Sequence, residues 1–278
     1  MKTVILESAL KELTLKDMNN YLHPKTPGWY AKRGIPLRRG YLFSGLPGTG
    51  KTSFCLALAG VFGLTIHILS LNDASLTEED LNMLFSKLPP RCIVLLEDID
   101  TAGLSRSGNK SDSPSVEGGL YKSRKQGISL SGLLNAIDGV ASQEGRVLIM
   151  TTNAPEKLDQ ALVRPGRVDL HIKFNKATCA QAQEQFVIMF QRDEKGPMSR
   201  ASPGAQGNQH RHDFPDNTVN EDQLRIAAKE FGSKIPEGQL SPAQIQGFLI
   251  QHRDDPMRAV REVADWVEET RNGSLQLL

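Results

Sequence analysis

Cysteine is scarce in this sequence: Cys55, Cys92 and Cys179 make an odd set of three with no short spacing among them. That pattern argues against a disulfide framework or a zinc site and for buried thiols in a reducing compartment. Long apolar runs are missing as well. The longest, such as residues 93–96 and 147–150, fall far short of the roughly 20 residues needed to cross a bilayer. No signal peptide follows Met1, so the chain itself reads as soluble, with any membrane attachment left to a segment outside it. Neither sign of charge is in excess. Thirty-three Lys+Arg against 32 Asp+Glu leave a net charge of +1, so no basic field points to nucleic acid, and partners must be inferred from local sites. Internal repeats are absent, and no Ser-His-Asp or Cys-His arrangement is supported.

What is present describes an ordinary globular chain. With 278 residues, 39% hydrophobic and 23% charged, there is material for one large domain, or a large one and a small one. "GYLFSG" (residues 40–45) is a short apolar strand ending in a glycine-rich turn, and "KTSFCLALAGVFG" continues as a helix that stops at residues 60–63. "LTIHILSL" is the next strand. Thr77 then opens a helix with a capping box to Asp80, apolar Leu81, Leu84, Phe85 and Leu88 on one face, and Pro89-Pro90 as the stop. Residues 103–127, rich in Ser, Gly and Lys, read as a mobile insertion. Leu130, Leu133, Leu134 and Ile137 restore a helical period, and "RVLIMTTN" and "VDLHIKF" are two further strands. Strands alternating with helices predict an α/β fold with a parallel sheet covered on both faces.

From Cys179 the pattern is helical only, so residues 1–178 are expected to form the α/β domain and 179–278 a smaller all-helical lid. Residues 191–220 form a second low-complexity insertion. His210 and His212 within it have no Cys partners and read as chance composition rather than a metal site. "YKSRKQ" (121–126) reads as a solvated basic loop. Met257, Val260, Val263 and Val267, with Trp266 beside them, form a stripe at helical spacing that predicts lid core.

The chemistry concentrates in "GLPGTGKT", residues 45–52, which follows a strand and opens a helix. In such a loop Gly45, Gly48 and Gly50 let the backbone turn its N–H groups, such as that of Thr49, inward around the phosphates. Lys51 then reaches the outer phosphates and Thr52 offers its hydroxyl to Mg2+. The candidate ATP-binding set is therefore Gly45, Pro47, Gly48, Thr49, Gly50, Lys51, Thr52 and Ser53. "IVLLEDID" releases Glu97, Asp98 and Asp100 at the end of a later strand, where open parallel sheets bind ligands. Neighbours on an extended strand face opposite ways, so Glu97 and Asp98 are expected to serve different partners, a cation and a water; Asp100 is left unassigned, with at most a cap for the following turn in view. Asn153 ends its strand with an amide able to orient a water or touch the γ-phosphate. Arg164 and Arg167 flank a Pro-Gly turn, exposed and stiff enough to reach a neighbouring subunit's phosphate.

"GLPGTGKT", "IVLLEDID", "TTN" and "LVRPGRVD", in that order, resemble the AAA family of ring-forming ATPases. "TVILESALKELTLKDMNNYL", "WYAKRGIPLRRGYLFSGLPGTGKTS", "GISLSGLLNAIDGV" and "PGRVDLHIKF" are similar to its Bcs-type branch of mitochondrial chaperones, and the insertions to those of divergent fungal members. That branch installs a folded Rieske iron–sulfur subunit into respiratory complex III. The resemblance implies ATP and Mg2+ between sheet and lid, Asn153 as first sensor, and a homo-oligomeric ring with Arg164 and Arg167 facing the next subunit's nucleotide. It also implies a protein substrate, no nucleic acid, and the matrix side of the mitochondrial inner membrane. The family's anchor and middle domain precede its AAA region, just before which this chain begins. The loop "NDASLTEED" carries no aromatic residue, which disfavours threading of an unfolded chain, and "SPAQIQ" carries no sensing arginine. In the family the order of acids is Asp then Glu, the first toward Mg2+ and the second toward the attacking water; by position the resemblance implies Glu97 for the metal shell and Asp98 for the water. The order of types is reversed here, and Asp98 is one methylene shorter than Glu, which predicts a modest intrinsic rate. A nucleotide-binding structural subunit with little turnover, and an AAA ATPase with a non-mitochondrial role, are the alternatives. A clamp loader would need a basic face that the sequence lacks.

Overall fold

A computed structural model describes residues 4–73, 76–102, 128–139, 144–191 and 220–273. The two insertions, and with them His210, His212 and the basic loop at 121–126, lie outside the described residues. Two compact units emerge, their main bodies Leu6–Asn175 and Lys176–Leu278.

The first unit is an α/β layer built on five parallel strands: β1 (Arg39–Gly45), β2 (Thr65–Ser70), β3 (Cys92–Glu97), β4 (Val147–Thr152) and β5 (Leu170–Phe174). Their order is β2-β3-β4-β1-β5. The middle strands β3, β4 and β1 are almost wholly buried, as their continuous apolar runs demand, while the edge strands β2 and β5 alternate between exposed and covered residues. Alternation along β1 divides the core. Leu42 joins Val94, Leu96 and Met150 under helices α4 (Glu78–Lys87) and α5 (Leu130–Asp138), whereas Phe43 points the other way and packs on Phe54 and Phe174.

Phe54 belongs to α3 (Lys51–Phe62), which Gly63 ends in a left-handed conformation. Thr77 caps α4 through the expected reciprocal pair of hydrogen bonds with Asp80. Leu81, Phe85 and Leu88 are buried as the period requires, but Leu84 is exposed. Two helices precede the sheet, α1 (Ser8–Leu22) and α2 (Thr26–Ala31), neither of which the hydrophobic period announced. Polar contacts hold α1 in place. Its Asp17 accepts hydrogen bonds from the Arg39 guanidinium and, at 2.7 Å, from the Tyr41 hydroxyl.

The second unit contains four described helices, α6 (Cys179–Phe190), α7 (Glu221–Lys234), α8 (Pro242–Gln251) and α9 (Pro256–Arg271). Their common core includes Phe186, Phe231, Phe248, Val260, Val263 and Val267. Met257 is the exception in the α9 stripe, standing 43% exposed in the first helical turn. Ser241 caps α8 and Pro242 fills its first position, so "SPAQIQ" is explained as a helix start. Cys55 and Cys92 are buried free thiols, and the half-buried Cys179 donates to the Ile235 carbonyl.

Gly40 fixes where the arginine-bearing turn sits. A β-carbon there would lie 1.7 Å from the Arg167 carbonyl oxygen. The same approach is locked by the Asp169 amide donating to the Gly40 carbonyl at 2.8 Å and by the Gly40 amide donating to the Asp169 carboxylate at 2.9 Å. Gly40→Ala must push the turn off β1 and is expected to cost about 3 kcal/mol, measurable as a lower unfolding midpoint in urea. A midpoint equal to that of the wild type would contradict this packing.

Candidate active site

Parallel pairing brings three strand ends to one edge of the sheet. Ser44 of β1 stands beside Thr152 of β4, and Leu96 of β3 beside Met150, so the loop after β1, the turn after β3 and Asn153 after β4 converge. The loop glycines are required by their backbone: Gly48 has φ 74° and Gly50 φ 96°, angles that side chains disfavour. Thr49 turns inward, its hydroxyl donating to the Leu46 carbonyl at 2.8 Å. Together these residues border a cavity of about 290 Å³ lined by Pro47, Gly48, Gly50, Lys51, Thr52, Ser53, Asp98, Thr151 and Asn153.

Lys51 is 8% exposed. Its ammonium donates to the carbonyls of Gly45 (2.7 Å) and Leu46 (3.1 Å) and to the Asn153 amide oxygen (2.7 Å). Burial lowers the ammonium's pKa, with Asp98 and Asp100 acting in the opposite direction. The other end of the Asn153 amide donates to Asp98 Oδ1 at 3.1 Å. An ammonium can only donate and a carboxylate can only accept, so this pair of neighbours dictates which way the amide points.

Glu97, the last residue of β3, accepts the Thr52 hydroxyl at 2.8 Å. The hydroxyl and carboxylate expected to share a metal thus already touch. Asp98 is different. Alternation along a strand does not place it, because β3 ends at Glu97 and Asp98 has φ 46°, the one positive φ among described non-glycine residues. Its amide donates to the Thr151 hydroxyl at 3.0 Å, and its exposed carboxylate borders the cavity beside Asn153. The two acids therefore separate through a backbone turn.

Asp100 is not the cap of that turn. Its Oδ1 accepts the Thr152 hydroxyl at 2.8 Å and the Asn153 amide N–H at 3.0 Å, reaching across to the end of β4. Burial pushes the Asp100 carboxyl up, but these donors and nearby Lys157 hold it below the usual carboxylate range. Thr151, Thr152 and Asp100 are the site residues that sequence reasoning left without a role. The threonine pair immediately before Asn153 was the signal.

The two arginines part company. Arg164 is exposed, whereas the Arg167 guanidinium is paired within its own chain to Asp138 and donates to the Ala161 carbonyl. Asp138 also meets Arg38 at 3.4 Å.

A glycine-rich loop between a buried strand and a helix, a lysine within it, and an acid and an amide on adjacent strands define a P-loop nucleotide-binding domain. Residues 41–176 match the family model for the ATPase family associated with various cellular activities (AAA), and residues 179–265 match the lid domain of mitochondrial chaperone BCS1-like ATPases. The chain belongs to the AAA ATPase family and to its BCS1-like chaperone branch. It is 36% identical over 286 residues to the probable mitochondrial chaperone BCS1-B of Dictyostelium discoideum, covering 97% of this chain and 55% of that protein. To the mitochondrial chaperone BCS1 of Homo sapiens it is 38% identical over 262 residues, covering 94% of this chain and 54% of that one. The probable mitochondrial chaperone bcs1 of Schizosaccharomyces pombe is 47% identical over 192 residues, 68% of this chain and 40% of its own length. The chain spans about half the length of the curated relatives it matches. No described helix is long and apolar enough to cross a membrane.

The pairing of Arg167 predicts a division between the arginines. Arg167→Ala should lower stability by about 1 to 2 kcal/mol, while Arg164→Ala should melt with the wild type. Equal melting of both variants in a thermal scan would refute the division.

Proposed function

We propose that this chain is an Mg2+-dependent ATPase that works in a homo-oligomeric ring to move or remodel a protein substrate. The observation that carries the reading is the Lys51–Asn153–Asp98 chain of hydrogen bonds, 2.7 and 3.1 Å, lying beside the Thr52–Glu97 pair. A lysine, a candidate base and the amide between them meet beside a glycine-rich loop whose residues line a cavity.

The residues suit the chemistry. The amides of the loop and the start of α3 would hold the phosphates, and Lys51 would exchange its carbonyl partners for outer phosphate oxygens. Thr52 and Glu97 would hold Mg2+, which when bound neutralises phosphate charge. Asp98 orients a water and takes its proton as the water oxygen attacks the terminal phosphorus, and the bond to the leaving ADP oxygen breaks. Asn153 keeps the Asp98 carboxylate turned toward the cavity. Arg164, exposed on its turn, is the residue suited to act on a neighbouring subunit's nucleotide, while Arg167 is held within its own chain by Asp138.

The relatives named mitochondrial chaperone BCS1 support a mitochondrial chaperone role; the finer reading, assembly of a respiratory complex on the matrix side of the inner membrane with a folded iron–sulfur subunit as substrate, rests on the resemblance of the sequence motifs to the Bcs-type branch. The absence of an aromatic residue in "NDASLTEED" favours handling of a folded protein over threading.

Lys51→Ala should abolish ATP turnover. Asp98→Asn should keep ATP affinity and lower turnover by about 100-fold or more, whereas Glu97→Gln should weaken the dependence of binding on Mg2+. Phosphate release and ATP titration on the three purified variants decide this. Unchanged turnover in Lys51→Ala would remove the site assignment, and tight binding without turnover in Glu97→Gln, with Asp98→Asn active, would exchange the roles of the two acids.

A further inference from the structure

The turn after β3 grips the end of β4 at three successive residues. Thr151 accepts the Asp98 amide on its hydroxyl and the Ile99 amide, at 3.0 Å, on its carbonyl. Thr152 donates its hydroxyl to Asp100, and Asn153 donates its backbone amide to the same Asp100 oxygen. The turn itself is closed by Thr101, whose amide and hydroxyl both donate to the Asp98 carbonyl, at 2.9 and 2.8 Å. Asp98 and Asp100 are thus two fixed points of one short turn, and Asn153 is bonded to both, by its side chain to the first and by its main chain to the second.

That arrangement constrains Asn153 severely. Its amide must present oxygen to Lys51 and nitrogen to Asp98 at once. A side chain with two rotatable bonds can meet both only if its Cα is held in one place, and a misplacement of about 1 Å at such a point can cost on the order of 100-fold in rate. β4 ends at Thr152, so Asn153 lies just beyond the strand, and its backbone N–H donates to the Asp100 carboxylate.

We propose that Asp100 is a positioning residue for the reaction: through a single carboxylate oxygen it fixes the main chain at Asn153, so that the Asn153 amide bridges Lys51 and Asp98. The proposal rests on the ATPase reading of this site. It makes a specific demand on chemistry, because both donors converge on Oδ1 and what matters is an acceptor oxygen at that reach. An asparagine supplies one at the same distance; a glutamate keeps the charge but displaces the oxygen by a methylene.

The test compares Asp100→Asn, Asp100→Glu and Asp100→Ala, alone and with Asn153→Ala, in the complete chain, by steady-state phosphate release, with thermal melting to confirm folding. Asp100→Glu and Asp100→Ala are expected to lower kcat by about 10- to 100-fold with KM for ATP changed by less than about threefold. Asp100→Asn should recover most of the loss. Asp100→Ala should cost nothing further once Asn153 is Ala, the non-additivity that marks action through that residue. If Asp100→Ala does not fold, the Asn and Glu variants still decide: recovery by Glu and not by Asn makes charge the requirement and overturns the proposal. Folded Asp100→Ala with wild-type kcat, or a full additional loss in the Asn153→Ala background, overturns it too. A wild-type chain without turnover would instead bring down the ATPase reading itself.

Discussion

The buried ammonium of Lys51 sets the terms for everything around it. Removing such a charge from water is costly unless acceptors surround it, and here two loop carbonyls and the Asn153 amide oxygen supply them. Those acceptors come from the end of β1 and the end of β4, adjacent strands in the sheet. Any change in register or strand order would separate them. The same requirement explains why the neighbouring strands are so thoroughly apolar: β3, β4 and β1 are locked by packing on both faces, and only their last residues are free to be polar. The sheet supplies rigidity, and its edge supplies chemistry.

Two adjacent acids acquire different surroundings from one backbone angle. Glu97 keeps strand geometry and meets the Thr52 hydroxyl. Asp98 enters the left-handed region and turns its carboxylate to Asn153 and the cavity. Non-glycine residues adopt that conformation at a cost of order 1 kcal/mol or more, and persist there only when the surroundings hold them. The holding contacts are visible: Thr151 on the Asp98 amide and Thr101 on its carbonyl.

Local signals in the sequence carried well. The glycine-rich turn into α3, the capping box at Thr77 and the proline-started helix at Ser241 depend on residues within a few positions of one another, and their backbone has the form expected. The resemblance to Bcs-type AAA proteins carried further, to the lid at 179–265. What stayed hidden depends on distant partners. Asp100 meets Thr152 and Asn153 across some fifty residues of chain, and Arg167 looks like a free surface arginine until Asp138 is placed beside it. Helix α1 escaped because its buried stripe is short, Thr14, Met18 and Tyr21, and polar bonds from Arg39 and Tyr41 to Asp17 complete its seat on the sheet. Met257 and Leu84 matched the helical period yet stand at its exposed margin.

The central claim is that this edge of the sheet turns ATP over rather than merely holding it. The direct measurement is phosphate release by the wild-type chain at saturating ATP, set beside its ATP affinity, with Mg2+ present and then chelated. The account predicts release that saturates with ATP and disappears when the metal is removed. Tight ATP binding with no phosphate release in the assembled protein would contradict it and make the chain a nucleotide-bound structural subunit.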